Sequence, residues 1–171
     1  RGIHQKMKFI SWSYRFAEQV LNSNLPIKRE IEEIISSINI SGEGISRPKL
    51  NEIFKEKFLS KGWKDQPVVF DEKEDPSARI DFFKERIGIE VAFSHSSFLG
   101  IDLLKFQTLS YSNLDKIDVG IYIMATKDLA KKMLEKGQKW DGSLTFEKVK
   151  KYLPHFKSAI QVPVLVLGLD V

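Results

Sequence analysis

The sequence predicts a three-layer α/β domain in which a mixed β-sheet carries helices on both faces. Three observations lead there. The runs KIDVGIYIMAT (116–126) and VPVLVLGL (162–169) have strand length and no apolar/polar alternation, as strands buried on both faces do. The segment ARIDFFKERIGIEVAF (78–93) reads as two antiparallel strands joined by a short turn. Between these lies SSFLGIDLLKFQTLSYS (96–112), helix-like in length and apolar almost all round, which belongs against a sheet and not at the surface.

The elements follow in order. Three helices are expected first. One covers about 5–22, with Met7, Ile10, Tyr14, Ala17 and Leu21 along one stripe. The next opens at Pro26 and carries Ile27, Ile31, Ile34, Ile35 and Ile38. A Gly-Ser loop (41–46) leads to the third, KLNEIFKEKFLSKG, which stops at Gly62. PVVF (67–70) reads as a short strand and DEKEDPS (71–77) as a polar connection before the hairpin. After the apolar helix and its following strand come KDLAKKMLEKG (127–137) and TFEKVKKYL (145–153), two further helices, and the closing strand. The chain reads as one domain over 1–171, with N-terminal helices over 1–62 and an αβββαβ core from about 50 to 171.

The 171 residues, 42% hydrophobic and 29% charged, suffice for one such core and leave no room for two ordinary domains. No apolar run approaches the length of a membrane span. The absence of cysteine excludes disulfides, thiolate zinc sites and cysteine nucleophiles, and fits a reducing compartment such as the cytoplasm. A net charge of +4 admits a polyanionic partner without requiring one.

The chemistry concentrates in the hairpin. With the turn centred on Glu85 and Arg86, Lys84 opposes Ile87, Phe83 opposes Gly88, and Asp81 opposes Glu90. Ile87, Ile89, Val91 and Phe93 then face a core, while Gly88, Glu90 and Ala92 share the face of Asp81. Carboxylates directly across an antiparallel pair lie roughly 5 Å apart at Cβ and repel, so a divalent cation or a solvated, lysine-screened surface must compensate. Glu90 sits inside the apolar run IGIEVAF, where an uncompensated carboxylate is expensive.

The blocks RIDFFK, IGIEVAF, IDLLKFQ, IDVGIYIM and VPVLVLGL, in that order from about residue 50 onward, resemble the BglII/BstYI group of type II restriction endonucleases and the wider PD-(D/E)XK nucleases. The resemblance implies a restriction-endonuclease-like core and Mg²⁺-dependent hydrolysis of double-stranded DNA, with Mn²⁺ as a substitute metal. It also implies a homodimer acting on a palindromic site. It assigns the metal to Asp81, Glu90 and the backbone carbonyl of Val91.

One position departs from the pattern. The third motif residue, usually Lys and in this group often Gln or Glu, is Ala92, which neither polarises water nor binds metal. His95, Lys105 and Gln66 are candidates for the missing role. His95 ranks first as catalytic residue, for its nearness in sequence and its pKa, with helix capping as the competing assignment. Asp102 and Lys105, spaced i, i+3, also read as a simple helix-face pair, and Asp115 and Asp118 as structural. The lysines from 127 to 151, with Trp140 and the 137–143 loop, suit DNA backbone and groove contacts or form a solvated surface. Alternatives to a cutting enzyme are a nuclease-fold protein that binds DNA without cleaving it, a repair or nicking nuclease, and a structural α/β domain.

Overall fold

The computed structural model describes residues 4–69, 79–111 and 115–171. Among them a six-stranded sheet runs in the order β2-β8-β7-β6-β5-β4. Its strands are β2 (Lys8–Tyr14), β4 (Lys64–Asp65), β5 (Phe82–Lys84), β6 (Ile87–Val91), β7 (Val119–Ala125) and β8 (Val164–Asp170). β6, β7 and β8 are mutually parallel and the outer strands pair antiparallel, so the sheet is mixed. Two short strands, β1 (Gln5–Lys6) and β3 (Asn39–Ile40), form a separate ribbon.

Period-2 alternation on doubly buried strands builds two cores. Val119, Ile121, Ile123 and Ala125 of β7 face one side, with Ile87 and Ile89 of β6. There they meet α1 (Ala17–Asn22), α2 (Leu25–Ser36), α3 (Arg47–Ser60) and α5 (Lys127–Glu135). Tyr122 and Met124 face the other side, against α4 (Leu99–Tyr111) and α6 (Phe146–Tyr152). Gly120 permits the close approach of α4, since a Cβ there would stand 2.7 Å from the Phe106 ring. The second and third predicted helices are α2 and α3, each opened by a capping side chain, Asn24 and Ser46, and a proline in its first turn.

The first predicted helix is replaced. Half of 5–22 is β1 and β2, and only Ala17–Asn22 is helical. The apolar stripe divides between the two cores: Met7, Ala17 and Leu21 join one, Tyr14 joins the other, and Ile10 is exposed. KFISWSY is rich in aromatic and β-branched residues and pairs along its whole length with β8, from Lys8 opposite Asp170 to Tyr14 opposite Val164. The sheet therefore begins far ahead of residue 50. The strand expected at 67–70 also forms earlier: Lys64 and Asp65 pair with Phe83 and Phe82, and Val68 makes an isolated bridge to Arg79. The polar connection 71–77 lies outside the described residues.

The hairpin register is the predicted one through Lys84↔Ile87, Phe83↔Gly88 and Phe82↔Ile89, where the ladder ends; Asp81, expected opposite Glu90, precedes β5 and turns its amide to Ile89 O instead. Glu85 and Arg86 both take positive φ, 46° and 65°, the backbone of a two-residue type I′ turn made without glycine. Side chains hold it there. Arg86 reaches both oxygens of Asp118 at 3.0 and 2.9 Å and Asp115 Oδ1 at 2.8 Å, and Asn24 Nδ2 donates to Glu85 at 2.9 Å.

Candidate active site

A cavity of about 380 Å³ opens at the C-terminal end of β6, between α3 and the start of α4. Asp81, Glu90, Val91 and Ala92 line it together with Asn51, Lys55, Asp65, Gln66 and Asp102. The hairpin accounts for the acids. Asp81 lies one residue before β5 and its amide donates to Ile89 O at 3.2 Å, so its side chain emerges beside Glu90. One carboxylate oxygen of Asp81 then accepts the Val91 amide at 2.7 Å.

Behind the cavity wall is a buried charge cluster. Of the four polar or charged side chains buried among the described residues, three are Glu90, Asp102 and Lys105. Lys105 Nζ stands 3.1 Å from Glu90 Oε1 and 3.5 Å from Asp102 Oδ1, and donates to Arg79 O at 2.9 Å. Tyr122, opposite Glu90 in the parallel ladder, donates its hydroxyl to Asp102 Oδ2 at 2.6 Å. The Glu90–Lys105 contact has ion-pair distance but lies off the hydrogen-bond direction, which leaves Glu90 Oε1 buried without a hydrogen-bond partner.

The electrostatics follow from burial. Loss of water raises the Asp81 carboxyl from 3.8 to about 6, against the opposing pull of the Val91 amide and Lys105. Burial, and next the charge of Asp81, push Glu90 well above the usual carboxylate range. Asp102 is raised by burial too, held back by the Tyr122 hydrogen bond and Lys105. At Lys105 burial alone would lower the pKa, but the carboxylates of Glu90 and Asp102 outweigh it and the net direction is upward. Three carboxylates thus share one ammonium ion. The shortfall is of the size a divalent cation supplies, and oxygen donors suit a hard one. Asp81, Glu90 and the neighbouring Val91 carbonyl therefore fit such an ion, although no cluster of three or more acidic or histidine side chains shaped for a metal occurs among the described residues.

The other predicted residues are placed as follows. His95 is exposed and lies outside this cavity; its Nδ1 accepts the Ser97 amide at 3.1 Å, capping a 3₁₀ turn over Ser96–Phe98, and the ring lies against Gly142. It lines an adjoining cavity of about 730 Å³ with Arg47, Asn51, Gln138 and Lys139. Gln66 reaches the acidic cavity with φ of 46°, its backbone tied to Asp81 and Arg79. Trp140 is no groove contact: it is buried against Phe93 and donates to Ile45 O at 2.8 Å. Sequence reasoning missed Asp65, brought in by β4 and paired with Lys55 at 3.2 Å.

The profile of the restriction endonuclease BglII/BglIII family matches residues 9–169. The chain belongs to that family. No curated protein sequence matches it. Among solved structures, the crystal structure of restriction endonuclease BglII complexed with a DNA 16-mer is similar with a TM-score of 0.74 at 22% identity, covering 96% of this chain and 78% of that one. At that identity the likeness shows the fold; the family match makes the protein an endodeoxyribonuclease of restriction type, in a family whose members depend on metal. The match reaches back to β2, well before the blocks from residue 50 that carry the resemblance in sequence. No helix among the described residues is long and apolar enough to cross a membrane.

Proposed function

We propose that the protein is a Mg²⁺-dependent type II restriction endonuclease that hydrolyses double-stranded DNA at a specific palindromic sequence, working as a homodimer. The observation that carries this is the convergence of Asp81 and Glu90 on one acidic cavity, in a chain of this family. Asp81, Glu90 and the Val91 carbonyl would hold the ion, with Mn²⁺ as a substitute. Once bound, the cation lowers the pKa of a coordinated water and offsets negative charge building on the scissile phosphate.

The protein's own groups do the rest. The Val91 amide fixes the Asp81 carboxylate, and Lys105 faces that of Glu90. Phe82, Phe93 and Phe98 give the cavity an apolar wall that limits competing water. Arg47 and Lys139, on the adjoining cavity, offer positive charge to a duplex crossing the mouth of the site. Two identical sites related by a two-fold axis would address the two strands of a palindrome. Incubating the purified protein with plasmid DNA and Mg²⁺, Mn²⁺ or EDTA tests the reading. Discrete fragments that require metal are expected; DNA that is retarded but intact under every condition contradicts it.

A further inference from the structure

We propose that Lys105, delivered from α4, supplies the cation that the motif lacks at Ala92 and acts as the positioning residue for Glu90. The inference rests on the nuclease reading above and names a residue that reading does not require. Ala92, two residues beyond Glu90 on the same face of the strand, gives the cavity only a methyl group. Among the described residues Lys105 is the one cation within ion-pair distance of Glu90, and its side chain is only 7% exposed.

Its placement is built. The ammonium donates to Arg79 O at 2.9 Å and stands at ion-pair distance from two carboxylates, Glu90 Oε1 at 3.1 Å and Asp102 Oδ1 at 3.5 Å. Asp102 is held in turn by the Tyr122 hydroxyl, so strand β7 and helix α4 together aim the lysine at β6. An isolated buried ion pair is often replaceable by apolar residues without loss. Here one lysine stands at ion-pair distance from two buried carboxylates, Glu90 and Asp102, and removing it leaves both without a cation at that distance among the described residues. The rival candidates lack this geometry: His95 is spent on a cap in the adjoining cavity, and Gln66 brings no charge.

In the reaction a water oxygen bonds to phosphorus and one P–O ester bond breaks, its electron pair leaving on the departing oxygen. The attacking water gives its proton to solvent and the departing oxygen takes one from solvent. Lys105 takes no part in the bond changes; its work is to hold the Glu90 carboxylate in place.

The test is a swap with two readouts, DNA cleavage in Mg²⁺ and melting temperature in EDTA at pH 8. Lys105→Met, matched in length but uncharged, is expected to cut about a hundredfold slower or worse and to melt lower in EDTA. Adding Ala92→Lys to that variant returns a cation beside Glu90 from the strand, and is expected to regain both melting temperature and most of the rate. Parental cutting by Lys105→Met overturns the proposal. So does a double variant that regains melting temperature without rate, or neither. Should Lys105→Met not fold, Tyr122→Phe, which frees Asp102 from its restraint, is expected to cut about tenfold slower with DNA affinity unchanged; an unchanged rate overturns the assignment. If the parent itself fails to cut, the nuclease reading falls, and the melting cycle in EDTA still decides whether Lys105 is the counter-ion of Glu90.

Discussion

Replacing Asp81 by Asn should stabilise the metal-free protein at pH 8, an unusual direction for a change in an enzyme's core. The magnitude comes from burial. A carboxyl whose titration moves from 3.8 to about 6 on folding carries a penalty of roughly 3 kcal/mol once ionised. Because the folded-state value is raised, the native protein holds its proton more tightly than the unfolded chain. Stability therefore falls as pH rises from about 4 to about 6, and the whole penalty is present above that window. Asparagine keeps an acceptor for the Val91 amide, ends the repulsion with Glu90 and has no charge to bury. The gain at pH 8 is thus at most about 3 kcal/mol, or about 6–12 °C for a domain of this size. Calorimetry in EDTA at pH 8 and pH 4.5 measures it, and the advantage should shrink at the lower pH. With Mg²⁺ the parent should gain melting temperature and Asp81→Asn should not. A variant less stable than the parent by the same amount at both pH values would refute the buried-charge reasoning.

Glu90→Gln should abolish metal-dependent cleavage while the far-UV circular dichroism stays that of the parent; wild-type cutting would remove Glu90 from the site. Metal affinity should strengthen as pH rises through about 6, where Asp81 loses its proton, with proton release measurable by calorimetry in buffers of different ionisation enthalpy. Lys131→Glu with Lys139→Glu should weaken DNA binding at every sequence and flatten its salt dependence by about one unit of slope for each phosphate no longer neutralised, as read from binding isotherms between low and moderate salt. Gly120→Ala should destabilise by about 1–3 kcal/mol in urea melts, because its Cβ meets the Phe106 ring.

The hairpin was legible because two local signals agree there, alternation and a charge set within an apolar run. Its turn carries no Asn-Gly, yet it forms, since Arg86 and Glu85 are held from Asp115, Asp118 and Asn24, residues distant in sequence. The N-terminal strand was misread for the complementary reason. Met7, Tyr14, Ala17 and Leu21 fall at helical spacing by coincidence, and the partner that makes 8–14 a strand, β8, lies at the other end of the chain. Lys105 and Asp102 do pair at i, i+3, but the pair is buried, and nothing in their spacing tells that Glu90 lies within reach of the same ammonium. Asp65 gave no signal either, because β4 is two residues long and takes its place only by pairing with β5. Trp140 beside a lysine-rich stretch suggested DNA; its indole instead closes the core over Phe93.

The most direct measurement of the central claim is the anomalous signal of Mn²⁺ in crystals of the protein with cleavable duplex DNA. A peak beside the Asp81 and Glu90 carboxylates and the Val91 carbonyl, absent in Asp81→Asn crystals grown alike, is the result expected. A peak elsewhere while the DNA is cut would contradict the assignment of the site.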